Sequence, residues 1–574
     1  MTKAKPVAVF FLALLVALPA FSAGQSPLLN AMTAELDRSF TALHTADEVP
    51  LYYLSYQVCD VERHNLAASY GALERNDHSR QRTLDIDCRV GDFTLDNTHE
   101  IRGEFDPSSF NGAGGARIPL DDDELAIRTV IWRNTDEAYK NALERYTKVK
   151  TNQQVLVEKE DTSADFSREK AAVFIGKTAH ESVDVEFWKS KLAAWSARFK
   201  DHPEVQTSGV RLSLTNDNRY FVDSDGAKIE TGQAYARLSL YCSGICDDGM
   251  SINRTETFDA DSPNDLPTGE EVDRTITRLI DELKALLSAP LAEPYAGPAI
   301  LVNRASGVFF HEIFGHRIEG HRQKSESEGQ TFARMVGKQI LPDFISVYDD
   351  PTLEEFDGTF LRGFYRYDDE GVPGQRVSVV EQGILKNFLM SRSPINNFPN
   401  SNGHGRKEPG ASVVARQGNL MIESDRQYPF DSLLVLLADE CRKQDKPYGL
   451  IFYDISGGFT QTGRRGPQSF KVLPLLVYRY YADGRPMEAI RGVDIVGTPL
   501  SSFEKIIATG DDYGVFNGTC GAESGWVPVS AMSPSILVSQ VEVEKKSKEQ
   551  EKPPLLPPPY EPSGDKTIMG GLDR

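Results

Sequence analysis

Gly307-Val308-Phe309-Phe310-His311-Glu312-Ile313-Phe314-Gly315-His316-Arg317-Ile318-Glu319-Gly320-His321 is the run around which the rest of the chain is read. An apolar lead-in is followed by His-Glu and then by a second His. In the helical pattern H-E-x-x-H two histidines four apart face one metal ion, and the Glu reaches its water. Here the spacing is H-E-x-x-x-H, one residue longer. On a regular helix each residue turns about 100°, so positions five apart point about 140° away from each other. A π-type turn, with its i to i+5 bond, would absorb the extra residue and restore a shared face. Gly315 gives the backbone the freedom to make it. The alternative is a helix carrying unrelated surface histidines, and the spacing alone leaves both readings open.

Outward from this run the chain divides into regions. Pro290, Pro294 and Pro298 punctuate the approach to it, and a domain boundary is placed near residue 295. Before the boundary, helical periodicity is read at Leu28–Leu43, Asp121–Val149, Val185–Phe199 and Thr268–Leu287. Strand-like runs are read at Leu51–Val58, His64–Leu73, Thr83–Val90, Thr207–Leu214, Arg219–Ser224 and Ala234–Ser243. Runs of strands beside runs of helices predict an α+β fold. Residues 24–294 then form an N-terminal α+β domain, and 295–545 a strand-rich C-terminal domain carrying the metal-binding helix. In the latter, mostly short strands are expected, among them Arg376–Glu381, Gly449–Tyr453, Val472–Tyr481 and Pro534–Glu544. Residues 546–574 are charged and then proline-rich, and are expected to be a disordered tail.

The run HEIFGHRIEGH resembles the signature of the TldD/PmbA family of metallopeptidases, whose motif is H-E-x-x-x-H. The resemblance extends to Asp368-Asp369-Glu370-Gly371-Val372-Pro373-Gly374-Gln375, to Glu381-Gln382-Gly383-Ile384-Leu385-Lys386 and to Asn402-Gly403-His404-Gly405-Arg406. It continues at Ser456-Gly457-Gly458-Phe459-Thr460-Gln461 and at Gly518-Thr519-Cys520-Gly521 followed by Val527-Pro528-Val529. The match is strong over residues 299–545 and weaker before them.

The resemblance implies a third ligand. In the family's metal-binding branch two His and one Cys hold the metal, and these map onto His311, His316 and Cys520. Two imidazoles and a thiolate suit zinc, with an open position for water. Glu312, next to the first ligand, is then the general base that works on a metal-activated water, so the implied activity is hydrolysis of peptide bonds. His321 is a rival ligand, but the family keeps no His there, and it is read as a flanking residue. His404 and Arg406 are candidates for steadying the oxyanion, with a structural turn as the alternative. The resemblance further implies a homodimer, or a heterodimer with a related subunit, that encloses the site and takes short or unfolded polypeptides. The Gly457-Gly458 start could offer an edge strand beside the metal for an extended peptide, with a tight turn as the alternative. The alternative function is a non-catalytic partner subunit, or a metal-binding protein, of such a complex.

The 574 residues carry a formal charge of -21, which argues against a general nucleic-acid binder. Lys3 and Lys5, the apolar run Pro6–Pro19 and the small residues Ala20 to Ala23 read as a cleaved signal peptide over 1–23. Export is therefore expected, the periplasm being the destination, with no membrane span in the mature chain. The six cysteines are too few for a disulfide scaffold. Cys59 with Cys88, and Cys242 with Cys246, are possible pairs, with free thiols as the alternative.

Overall fold

The computed structural model describes residues 25–101, 115–153, 161–325, 327–464, 466, 469–498, 502–546 and 556. The signal peptide read at 1–23 lies outside the described residues, as does the tail beyond residue 546 apart from Leu556. The fold is α+β, as the sequence predicts.

A seven-stranded sheet is drawn entirely from residues 51–260. The three runs expected between residues 51 and 90 are in fact two long strands, Leu51–Ser69 and Ala72–Val90. The chain reverses at Tyr70 (φ 45°) and Gly71 (φ 80°), two left-handed residues of the kind a tight hairpin needs. The polar residues read as breaks are instead cross-strand partners: Arg80 binds Asp60 at 2.6 Å and His78 binds Glu62 at 2.7 Å.

The runs expected at 207–214 and 219–224 likewise fuse into one strand, Thr207–Asp223. Asn216 and Asn218, which lie between the two expected runs, turn their amides to the backbone at 179 and 181. Asn218 accepts from the Ala179 N–H at 2.7 Å and Asn216 from the Glu181 N–H at 3.0 Å, so they pair with backbone as a further strand would. Lys228–Ile245 and Ser251–Ala260 complete the meander. Helix Glu270–Ser288 buries Val272, Ile276, Leu279, Ile280 and Leu283 on one stripe, against Leu212, Leu238 and Trp195.

Of the two readings of the cysteines the free thiols hold: neither possible pair forms, and all six thiols are free. Along the hairpin Cys59 lies opposite Thr83, whereas Cys88 lies opposite Leu54, so the two are out of register by several residues. Cys242 turns its sulfur toward the Leu279 carbonyl at 3.8 Å instead of toward Cys246.

Residues 295–545 build a twelve-stranded sheet. Within it, Gly525–Lys545, Val493–Gly497, Phe470–Tyr481, Tyr448–Thr460 and Tyr295–Leu301 pair in succession. Tyr295–Leu301 also pairs back onto Gly525–Lys545, so these five strands close into a ring. Not all strands here are short. Ile506–Ala522 and Gly525–Lys545 form a long hairpin, and helix Phe430–Lys443 packs outside it. Helix Asn303–Ile313 leaves the ring directly after Tyr295–Leu301 and packs on Gly525–Lys545, Tyr448–Thr460 and Ile506–Ala522. Its first turn ties the two sheets together: Arg304 binds Glu256 of the seven-stranded sheet at 2.5 Å and Asp454 of the twelve-stranded sheet at 2.7 Å. No helix among the described residues is long and apolar enough to cross a membrane.

Candidate metal centre

From Ala305 onward every residue of the helix Asn303–Ile313 is buried, so His311 and Glu312 are delivered into the interior near its C-terminal end. The extra residue of H-E-x-x-x-H is not absorbed by a π-type turn. The chain tightens instead of widening: the Phe314 N–H still reaches the Phe310 carbonyl at 2.9 Å, and then a 3₁₀ turn, Gly315–Arg317, takes over. Its three residues per turn swing His316 back over His311. The two rings lie 5.1 Å apart, centroid to centroid, at 71°. Gly315 is required here for space. A Cβ on it would stand 1.9 Å from Oε1 of the buried Gln417.

Cys520 reaches the same point from the strand Ile506–Ala522. Its sulfur lies 3.3 Å from His316 Nε2, and one donor atom from each of His311, His316 and Cys520 fits within 4.8 Å of the others. Burial alone would raise the Cys520 thiol, but the positive charges of His316, His311 and Arg416 outweigh it and hold it well below its ordinary value. Burial disfavours the charged form of His316, yet Cys520 and Glu319 raise its pKa well above normal. His311 Nδ1 is a buried polar atom with no partner. Two imidazoles and a depressed thiol, converging in a closed site with an unsatisfied nitrogen, fit a borderline-soft cation such as zinc.

Glu312 stands beside this cluster and is not part of it. Burial raises its pKa, while His311 and His316 pull it down. The Gly458 N–H faces its carboxylate and favours the charged form. A Cβ on Gly458 would meet the Lys471 carbonyl at 2.7 Å and Glu312 Cγ at 2.9 Å, so only glycine lets the strand pass this close.

A second layer was missed in the sequence. Glu319, fully buried, accepts from His316 Nδ1 at 3.3 Å and from Arg322 at 2.8 Å, which leaves His316 Nε2 for the cluster. Arg416 lies 3.4 Å from the same carboxylate and donates to the Cys520 carbonyl at 2.9 Å, tying two of the three donors together. Glu319 follows His316 by three residues, a spacing that could have marked it. Arg416 has no local signal.

The other candidates go elsewhere. His321 pairs with Glu523 and lies outside the three-donor cluster. His404 is fully buried, 3.2 Å from Asp349 and bonded to Asn402. Arg406 donates to the carbonyls of Gln417 at 2.6 Å and Pro528 at 2.7 Å. The strand Tyr448–Thr460 pairs with Phe470–Tyr481 along its length, but with Tyr295–Leu301 only at Leu450, Ile451 and Phe452. Past Gly457, its second edge carries no strand among the described residues, and Phe459 is 53% exposed.

Residues 295–545 match the model of the PmbA/TldA metallopeptidase C-terminal domain. This C-terminal part of the chain carries the domain of the TldD/PmbA family. Relatives of the chain include a metalloprotease of Archaeoglobus fulgidus, 30% identical over 46% of this chain and 57% of its own length. The chain thus spans little more than half of that relative. A zinc metalloprotease TldD homolog of Saccharolobus solfataricus is 27% identical over 46% of this chain and 54% of its own. The crystal structure of TldE from Thermococcus kodakarensis, at 14% identity, shares the fold with a TM-score of 0.57 over 90% of this chain and 100% of its own.

Proposed function

We propose that the protein is a zinc metallopeptidase in which His311, His316 and Cys520 hold the metal and Glu312 acts as general base. The observation that carries this reading is the donor cluster with a buried carboxylate beside it and not in it. When bound there, zinc polarises the scissile carbonyl and acidifies the attacking water. Glu312, its affinity for protons raised by burial, takes the water proton and passes it to the leaving amine. The Gly458 N–H fixes the carboxylate for that transfer. Glu319 keeps His316 in the tautomer that presents Nε2. The names carried by the relatives, metalloprotease and zinc metalloprotease, support the reading.

Export to the periplasm follows from the basic and apolar start of the chain. Assembly as a homodimer, or with a TldE-like subunit, would enclose the site. The open edge past Gly457 suits an extended peptide, held by main-chain hydrogen bonds with little side-chain preference. The test is one stable domain presented in native and in permanently unfolded form. Cleavage of the unfolded form alone is expected, and equal cleavage of both would defeat the enclosed-site part of the proposal.

Two substitutions probe the support around the donors. Glu319→Gln is expected to weaken zinc binding about 10–100-fold, the usual cost of losing such a partner. Titration against a competing chelator measures it, and unchanged affinity would remove Glu319 from the site. Gly458→Ala is expected to leave zinc in place and lower turnover about 100-fold, because the new methyl displaces the Glu312 carboxylate. Turnover near that of the parent would show that the carboxylate does not need this strand.

A further inference from the structure

A small cleft opens between the first sheet and the segment 362–369, away from the donor cluster. Asp217, Arg219, Gln233 and Tyr235 line it from one side, and Arg362, Tyr365 and Arg406 from the other. None of His311, Glu312, His316 or Cys520 reaches it.

Its charges do not balance internally. Arg219 is neutralised by Asp217 at 3.0 Å and by Asp369. Arg366, also in the lining, pairs with Glu354 at 3.0 Å. Arg406 spends its hydrogen bonds on two carbonyls and stacks on the Tyr365 ring at 4.7 Å, with no carboxylate among these partners. Arg362 lies 5.8 Å from the Tyr235 ring, and its buried Nε has no partner. Asp368, the remaining acid beside Asp369, is already satisfied by the N–H groups of Glu370, Val372 and Gly405. Arg362 and Arg406 therefore face the cleft with no carboxylate in salt-bridge contact, although Asp259 and Asp369 lie near enough to act on them, in a chain whose formal charge is -21. Such groups favour a carboxylate.

A second unsatisfied pair lies within reach. Asp217 and Gln233 are direct cross-strand neighbours, and Asp217 Oδ1 and Gln233 Nε2 are both buried without partners. The Tyr235 hydroxyl donates to Asp217 at 3.3 Å while its ring faces Arg362, so the acceptor and the guanidinium sit at two ends of one side chain. A ligand that fills the cleft then carries an anionic end and, a few atoms away, a nitrogen donor. The tyrosine rings supply flat apolar walls between them.

We propose that this cleft binds a free amino acid, with its carboxylate on Arg362 and Arg406 and its ammonium group on Asp217. The site is separate from the metal centre, and binding there requires neither zinc nor Glu312. A metal-free or catalytically silent chain would bind equally, so failure of the peptidase reading and failure of this one are distinguishable.

Calorimetric titration of the full chain tests it with L-phenylalanine, its amide, its N-acetyl derivative and inorganic phosphate. One phenylalanine per chain is expected, with the amide and the N-acetyl derivative each binding at least about tenfold more weakly. Arg362→Gln should weaken phenylalanine at least about tenfold, and Asp217→Asn should erase the penalty of the N-acetyl group. Because the ligand series needs no variant, it decides the matter even if a substitution disturbs folding. Absence of phenylalanine binding, equal binding of the amide, or binding unaltered in a folded Arg362→Gln chain would each overturn the proposal. Phosphate binding as well as phenylalanine would overturn the amino-acid assignment in favour of a general oxyanion site.

Discussion

Glu312→Gln is expected to retain zinc at the level of the parent protein while peptide hydrolysis falls about 10³-fold, within the span that loss of a positioned general base produces. That is about 4 kcal/mol of transition-state stabilisation. The substitution conserves shape and leaves the amide where the carboxylate stood, so the donor cluster of His311, His316 and Cys520 is not disturbed. It removes the buried carboxylate assigned above as the proton acceptor. Steady-state kinetics on an unstructured peptide, with metal content measured on the same sample, separates the two roles. Turnover near that of the parent would transfer the base to another residue. Loss of zinc would make Glu312 a ligand.

The largest effect on the metal is expected from Cys520→Ser. The thiol is buried among His316, His311 and Arg416, whose positive charges hold it in its ionised form. A serine hydroxyl in the same place is not ionised by those charges and is a harder donor, poorly matched to zinc. The loss of affinity should exceed the about 10–100-fold that follows removal of an outer partner such as Glu319. Chelator competition on both variants compares them directly. An unchanged stoichiometry and affinity in Cys520→Ser would point to a carboxylate, or to His321, as the third donor.

The periodic elements were legible from residues alone. Helices at Pro27–Leu43 and Glu270–Ser288 fall within two residues of their expected starts, because one apolar stripe repeats along each. The long strands were legible only in fragments. Their polar interruptions, Asn216, Asn218 and the charged run from Arg75 to Arg82, find partners across the sheet or beyond it, and sequence does not show those partners. Helix Phe430–Lys443 was missed although Leu433, Leu437 and Cys441 recur at helical spacing. Its apolar centre, Leu433 to Ala438, suits a buried strand equally well, and periodicity does not separate the two.

At the site, His311, Glu312 and His316 announce themselves through one local motif. Cys520 lies about 200 positions away and was reached only through the family resemblance; the hairpin that carries it brings it to within 3.3 Å of His316 Nε2. The direction of the local distortion was misjudged. Widening the turn is one way to bring residues five apart onto one face, and ending the helix in a 3₁₀ turn is another. Gln417, from a distant strand connection, lies against Gly315 so closely that a Cβ there would meet its Oε1 at 1.9 Å, a contact that local sequence does not show. Arg416, next to it, binds the Cys520 carbonyl and the Glu319 carboxylate, an arrangement that exists only after the sheet has formed.

Three side chains, from one helix end and one distant strand, converge within 4.8 Å as a single candidate metal site. Elemental analysis of the purified chain, alongside His316→Ala, tests it most directly. One zinc per chain in the parent and none in His316→Ala is the predicted result. A parent chain that takes up no metal after incubation with zinc, or a His316→Ala chain that retains it in full, would contradict the account.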